Sequence, residues 1–396
     1  MTIKELVKRF IPKSLIEIYH FKLALLGAFL YGFPGYNKNI KIIGITGTSG
    51  KSTTTDLICR ILEEAGFSVA SFSTVRFKIG KNEWKNELKM TMPGRMKVQK
   101  FLRQAIKEKC QFVVLEVSSE GIRQFRHKFI NFDTTVFTNL TPEHIESHGG
   151  FENYRNEKLK IFRATKNIHV INADDSNAKY FLGIPAKKVV KFSLKDNEKY
   201  KLNLGLLGDF NIMNALAAMS VALSYGIDEN VCKKALEKAK NIPGRMEKVS
   251  ENPDIIVDYA HTPEQLESVY KSLNNKPLIC VLGSCGGGRD KWKRPVLGEI
   301  TNKYCKEIII TNEDPYDENP MEIINQVAEK AGPKVKRILD RKEAISGAIK
   351  IADKNDVVII TGKGSEPWMC VANGKKIPWD DREIVKEIIK NKQDEN

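Results

Sequence analysis

"GITGTSGKSTTT", Gly44 to Thr55, is the stretch on which the fold turns. The usual triphosphate-binding loop reads G-x-x-x-x-G-K-[ST], but here Ile45 stands five residues before Gly50, and the nearer glycine is Gly47. The spacing is short, yet the chemistry is complete. Backbone N–H groups from Gly47 through Thr48, Ser49 and Gly50 to Lys51 can wrap a triphosphate, with Thr53 following in the first helical turn. Lys51 supplies a cation, and Ser52 can ligate Mg²⁺. The preceding "IKIIGITG" reads as a buried strand and Ser52 to Ala65 as a helix, which is the context such a loop requires. A glycine-rich turn without a ligand is the bland alternative, and Gly-Lys-Ser at a strand-to-helix junction has few such uses.

The same rhythm continues outward. "QFVVLEVSS", "DTTVFTNL" and "NIHVINAD" read as strands, and Gly208 to Ile227 as a long helix. Pro243-Gly244 is a plausible boundary, after which strands at "DIIVDYAH", "PLICVLGS", "EIIITNED" and "DVVIITGKG" alternate with helical patterns at Pro263 to Leu273, Pro320 to Ala331 and Lys342 to Ala352. The expected fold is α/β: an N-terminal helical segment (1–38), a central P-loop ATPase-type domain with a mostly parallel sheet (39–242), and a C-terminal Rossmann-like α/β domain (243–396). The two domains are expected to face each other across a cleft.

Composition bounds the function classes. The chain has 396 residues, 41% hydrophobic and 29% charged, which suits a soluble globular protein and excludes disordered and fibrous classes. Its seven cysteines form no C-x-x-C pair and fit neither a disulfide framework nor a structural zinc site, so a reducing cytoplasm is the expected location. The net charge of +15 comes without an arginine-rich block or a recognised nucleic-acid module, so no nucleic-acid partner is expected. "FKLALLGAFLYGF", Phe21 to Phe33, follows basic residues Lys4, Lys8, Arg9 and Lys13 and is too short to span a bilayer. It reads as a helix lying on the protein or, alternatively, making weak contact with a membrane surface.

Two further clusters carry chemistry. "LEVSSEG" puts Glu116 at the carboxyl end of a strand, from which a carboxylate can reach a metal at the phosphate loop; a buried glutamate paired with a lysine is the plainer reading. In "NLTPEHIESHGGFENYRNEKLKIF", His144 and His148 lie just past a strand, and Lys158 falls on the inward face of an amphipathic helix marked by Phe151, Tyr154, Leu159 and Phe162. A lone histidine is usually structural. Here the cluster follows a phosphate loop and a strand-end acid, which favours His144 as a metal ligand.

These residues, with "GDFNIMNALAA", "IPGRME", "VDYAHTPEQL", "GSCGGGRDKWKRP", "TNEDPYDENP" and "GKGSE" in the same order, resemble the Mur ligases, and most closely the MurE type. The resemblance runs from Asn39 to the C-terminus and accounts for the short loop, which in that family is T-G-T-x-G-K-[ST]. It implies an ATP-dependent ligase, acting as a monomer, that adds an amino acid to an anionic cell-wall peptide precursor. The substrate carboxylate attacks the ATP γ-phosphate to give an acyl phosphate, which the incoming amino group then attacks. By resemblance, Lys51 and Ser52 hold ATP and one Mg²⁺, Glu116 shares that metal, His144 ligates a second, and Lys158 is carbamylated. Asn211, Asn214, Arg245, Asp258 and His261 match nucleotide-contacting positions, with Asp258 the ribose partner. Thr91, Pro93, Ser118, Glu313, Asp314, Pro315, Tyr316, Gly362 and Glu366 match substrate-contacting ones.

Three departures accompany the resemblance. The family's first domain, which holds the uridine diphosphate end of the substrate, has no room before Gly47. Glu120 stands where the MurE type commonly has histidine, and "EDPY" (Glu313 to Tyr316) stands where diaminopimelate-adding members show "DNPR". A folylpolyglutamate- or cyanophycin-synthetase-like ligase is the runner-up, and a P-loop ATPase that makes no amide leaves His144 and Lys158 unexplained.

Overall fold

A computed structural model describes residues 12–394 of the chain. The basic residues Lys4, Lys8 and Arg9 of the expected N-terminal segment lie outside them. Within the described residues the chain divides into two compact units: residues 12–140, 155–200 and 214–235 form the first, and residues 141–154, 201–213 and 236–394 the second. The helices Phe151–Ala164 and Phe210–Ser224 therefore each pass from the second unit to the first.

The first unit is built on an eight-stranded sheet. Its strands are β1 (Lys41–Thr46), β2 (Val69–Phe72), β3 (Arg76–Ile79), β4 (Asn82–Lys85), β5 (Phe112–Glu116), β6 (Thr134–Phe137), β7 (Ile168–Asn172) and β8 (Lys188–Phe192), in the order β4-β3-β2-β5-β1-β6-β7-β8. From β2 to β8 every pairing is parallel, and the β2–β3–β4 edge is antiparallel. Central strands covered on both faces need no polar alternation, and β1 and β5 are accordingly apolar and buried nearly throughout. Three helices matter below: α1 (Lys13–Leu30), α2 (Lys51–Glu64) and α3 (Arg95–Lys107). The chain leaves β1 toward β2 on one side while β6 lies on the other, so the loop between β1 and α2 opens where the strand order reverses, the usual ligand position in such sheets.

The second unit holds a six-stranded sheet of β9 (Glu247–Glu251), β10 (Asp254–Val257), β11 (Leu278–Leu282), β12 (Cys305–Thr311), β13 (Val335–Ile338) and β14 (Val357–Ile360), in the order β13-β12-β11-β14-β10-β9. Only β9 runs antiparallel to its neighbour. Period-two alternation divides the core: Leu278, Cys280, Leu282, Val357 and Ile359 face one layer of helices, while Ile279, Val281, Val358 and Ile360 face the other. The helices expected around Pro263, Pro320 and Lys342 are observed at Pro263–Leu273, Pro320–Ala328 and Arg341–Ile351.

One expectation fails. Cys280 and Cys305, with Cα atoms 6.1 Å apart, are joined as a disulfide, although the spacing of the cysteines suggested none. They stand 25 residues apart in sequence, and only the parallel pairing of β11 with β12, with its register shift between Leu278 and Ile279, makes them neighbours. Cys59, Cys110, Cys232, Cys285 and Cys370 are free thiols.

Candidate active site

The phosphate loop is held open by its own glycines and by the strand beside it. Gly50 caps α2 with φ +77°, and a Cβ there would collide with Asn214 Oδ1, so both conformation and space require glycine. A Cβ on Gly47 would strike Thr138 Oγ1. Asn139 braces the loop: its Oδ1 accepts from Ser49 N at 2.9 Å and Ser49 Oγ at 3.0 Å, while its carbonyl accepts from Thr48 N at 2.9 Å. Lys51 Nζ donates to the Gly47 and Thr48 carbonyls at 3.1 and 2.7 Å. Lys158 Nζ, 1% exposed, donates to the same Gly47 carbonyl at 2.7 Å.

Glu116 closes the other side. It is buried at the end of β5, where its Oε2 accepts from Ser52 Oγ at 2.8 Å and Thr74 N at 2.7 Å, and its Oε1 accepts from Thr74 Oγ1 at 3.2 Å. Thr91 reaches this network through Thr74, Oγ1 to Oγ1 at 2.9 Å. Pro93 and Thr53 are buried nearby in sequence. Ser118 caps the helix Ser119–Arg123 by accepting from Gly121 N at 3.1 Å, and Glu120 pairs with Arg123 at 2.7 Å. A carboxylate and a hydroxyl oxygen 2.8 Å apart beside a phosphate loop suit a hard cation such as Mg²⁺. Among the described residues no group of three or more His, Cys, Asp or Glu side chains is gathered for a metal.

Asn211 and Asn214 are not equivalent. Asn214 Oδ1 accepts from Thr54 Oγ1 at 3.4 Å, within α2, whereas Asn211 Nδ2 donates to Leu207 O at 2.6 Å in the second unit.

In the second unit, His261 Nε2 lies 2.8 Å from Glu143 Oε1, with His261 Nδ1 3.0 Å from the Tyr259 carbonyl. His144, with φ +57°, lies 3.5 Å from that same Glu143 oxygen, and Arg289 Nη1 is 3.2 Å from His144 Nδ1. Asp290 accepts from the amides of Ile145 and Glu146 at 3.2 and 3.0 Å. Asp258 is engaged by the backbone: its carboxylate accepts from Met246 N and Ala260 N, each at 2.7 Å, and burial raises its pKa against the opposing pull of Arg245. The Arg245 guanidinium lies over the Tyr259 ring, 4.3 Å from its centroid.

The carboxyl ends of β12 and β14 carry an acidic cluster around one lysine. Lys363 Nζ is fully buried and donates to both oxygens of Asp314 at 3.0 Å, to Glu366 Oε2 at 2.8 Å and to the Trp368 carbonyl at 2.6 Å. Glu366 Oε1 accepts from Tyr259 OH at 3.1 Å. Glu313 Oε1 accepts from Cys285 Sγ at 2.9 Å, while its buried Oε2 has no hydrogen-bond partner. Burial and the neighbouring Glu313 push the Cys285 thiol well above its ordinary range, which keeps it a donor. A Cβ on Gly362 would overlap Glu313 Oε2, so the glycine makes room for this carboxylate. Pro315 leads into Tyr316, whose φ is +51° and whose N–H donates to the Cys370 carbonyl at 3.1 Å. Thr74, Asn139, Glu143, Cys285 and Lys363 were not singled out from sequence. Thr74, Asn139, Cys285 and Lys363 sit just past strand ends and Glu143 just before the helix Ile145–His148, and for Glu143 and Lys363 the signal was their place inside "NLTPEH" and "GKGSE".

The family described as Mur ligase middle domain matches residues 45–202, and that described as Mur ligase, glutamate ligase domain matches residues 244–364. The UDP-N-acetylmuramoyl-L-alanyl-D-glutamate--2,6-diaminopimelate ligase of Syntrophomonas wolfei is 38% identical over 408 residues, covering 93% of this chain and 82% of the relative. The chain belongs to the Mur ligase family. A solved structure of a ligase of the same name is similar to this Mur ligase with TM-score 0.59 and 29% identity, over 90% of this chain and 79% of that one. A bifunctional folylpolyglutamate synthase/dihydrofolate synthase, solved with Mn, AMPPNP and L-glutamate bound, shares the fold at TM-score 0.64 and 19% identity, over 86% of this chain and 90% of that one. The Mur ligase is thus an ATP-dependent acid–amino-acid ligase of MurE type, as its motifs implied, and the similarity over nearly its whole length favours that type over the folylpolyglutamate runner-up.

Proposed function

We propose that this Mur ligase, acting as a cytoplasmic monomer, joins an amino acid to a carboxylate of a cell-wall peptide precursor, with ATP seated on the loop from Gly47 to Ser52. The observation that carries the reading is the Ser52–Glu116 contact of 2.8 Å at the mouth of that loop. Ser52 and Glu116 would hold Mg²⁺, which on binding draws charge from the phosphate oxygens. Lys51 carries a cation that can leave its loop carbonyls for phosphate oxygens, and since Asn139 already takes the Thr48 and Ser49 N–H groups, the loop's donors are the N–H groups of the first turn of α2, Lys51 and Ser52 among them. The precursor carboxylate attacks the γ-phosphate, ADP leaves, and the amino group displaces phosphate from the acyl phosphate to form the amide. In the second unit, Arg245 and His261 are assigned to the nucleotide on the motif match. Phosphate release should require both an amino acid and a precursor carboxylate. Release that is unchanged when either is omitted refutes the ligase reading.

Lys158 is proposed as the carbamylated lysine. Its burial beside the phosphate loop, with Nζ 2.7 Å from the Gly47 carbonyl, supports this, because it puts the amine where an added carboxylate would lie at the phosphate site. Activity should fall when CO₂ is stripped and return with bicarbonate, and mass spectrometry of the intact active enzyme should show the added carboxylate.

A further inference from the structure

The helix α1 is turned with its large apolar side chains outward. Its small residues Ala24 and Ala28 are buried, and a Cβ on Gly27 would stand 3.2 Å from Met96 Cα, so α1 lies backbone-close on the first turn of α3. Leu15, Ile18, Tyr19, Leu25, Leu26 and Phe29 are all exposed, Phe29 to 69%. Their spacing of three and four residues puts them on one face, in which Lys22 is the single charge. Surface helices ordinarily bury such a stripe against the core.

The helix beneath it is cationic. α3 carries Arg95, Lys97, Lys100, Arg103 and Lys107 and no acidic residue. Met96, Lys100, Arg103 and Lys107 share one face by their spacing, so the cationic ridge starts where α1 is seated, and its three basic side chains are exposed. An apolar ridge therefore runs beside a basic one within the first unit. A second copy of the chain would bring this basic helix against its own image, whereas anionic lipid complements both ridges together.

We propose that α1 and α3 form a docking surface for an anionic bilayer, with α1 lying in the plane of the interface and Lys100, Arg103 and Lys107 over the lipid phosphates. No described helix is long and apolar enough to cross a membrane, so the contact is peripheral. Vesicle binding is read without turnover, so its outcome is independent of the ligase reading.

The test is co-sedimentation of the full chain with phosphatidylcholine vesicles, pure or with roughly one third phosphatidylglycerol. Binding should favour the anionic vesicles by about tenfold or more and weaken as salt screens the basic ridge. Joint substitution Ile18→Glu and Phe29→Glu should abolish it, and Lys100→Glu with Arg103→Glu should weaken it at least about tenfold, each with an unchanged melting temperature because the side chains are exposed. Should the first pair unfold α1, the second decides alone. The proposal is overturned if neither vesicle binds, if both pairs bind like the parent chain, or if sedimentation shows a dimer that Phe29→Glu dissociates.

Discussion

Lys51 rests its ammonium on the carbonyls of its own loop, so nothing in a core depends on it. Lys51→Ala should remove nearly all phosphate release while leaving the melting temperature unchanged, and retained turnover or loss through unfolding would count against the loop assignment. Gly50 is the opposite case, since its φ of +77° and the Asn214 oxygen standing where a Cβ would go are structural demands. Gly50→Ala should lower stability by about 1–2 kcal/mol from the left-handed backbone alone, with activity lost as well. His127 is buried, its Nδ1 has no partner, and burial lowers its pKa from 6.5 to about 3. The folded state holds it neutral while the unfolded chain charges it, so the associated stability is fully present above pH 6.5 and is lost as pH falls toward 3. Across that window His127→Leu should flatten the fall of unfolding free energy by up to about 1.4 kcal/mol per pH unit, measured by denaturant titration.

At the scale of elements, the acidic cluster stands on strands pinned from behind. Arg341, fully buried at the start of its helix, makes a two-pronged pair with Asp381 at 2.8 and 2.7 Å and donates to the carbonyls of Asn312 and Thr361, just past β12 and β14. Removing one partner strands a buried charge. Arg341→Met should therefore cost about 3–5 kcal/mol in denaturant unfolding, whereas joint replacement of Arg341 and Asp381 by apolar residues should cost less than the single change. No sequence pattern announced this pair, because its partners stand 40 residues apart and meet only through the fold. The same holds for Glu143 with His261, 118 apart, and for the Cys280–Cys305 disulfide. Apolar runs such as "KIIGIT" and "LICVL" were legible because burial on both faces leaves no polar alternation. β4, "NEWK", was not, since an exposed antiparallel edge strand has no buried face to pattern it.

For the whole molecule, similarity along nearly the full chain fixes the reaction class without fixing the acceptor. The Syntrophomonas wolfei relative is named a diaminopimelate ligase, yet Tyr316 stands where diaminopimelate-adding members were expected to carry arginine. Burial pushes the Tyr316 phenol above its ordinary range, with Cys370 and Asp314 adding to the shift, so it stays neutral and cannot fork onto a distal carboxylate. The cluster beside it also narrows the choice of acid. Asp314 and Glu366 already share the Lys363 ammonium, whereas Glu313 keeps one buried oxygen without a hydrogen-bond partner. A distal ammonium would satisfy that oxygen and a distal carboxylate would oppose it. Lysine or ornithine should therefore be used in preference to meso-diaminopimelate by about 1.5–3 kcal/mol, or roughly ten- to more than a hundredfold, in competition at equal concentration. Glu313→Gln should erase most of that preference while sparing ATP use, and a clear preference of the parent enzyme for diaminopimelate would show that another cation grips the second carboxylate.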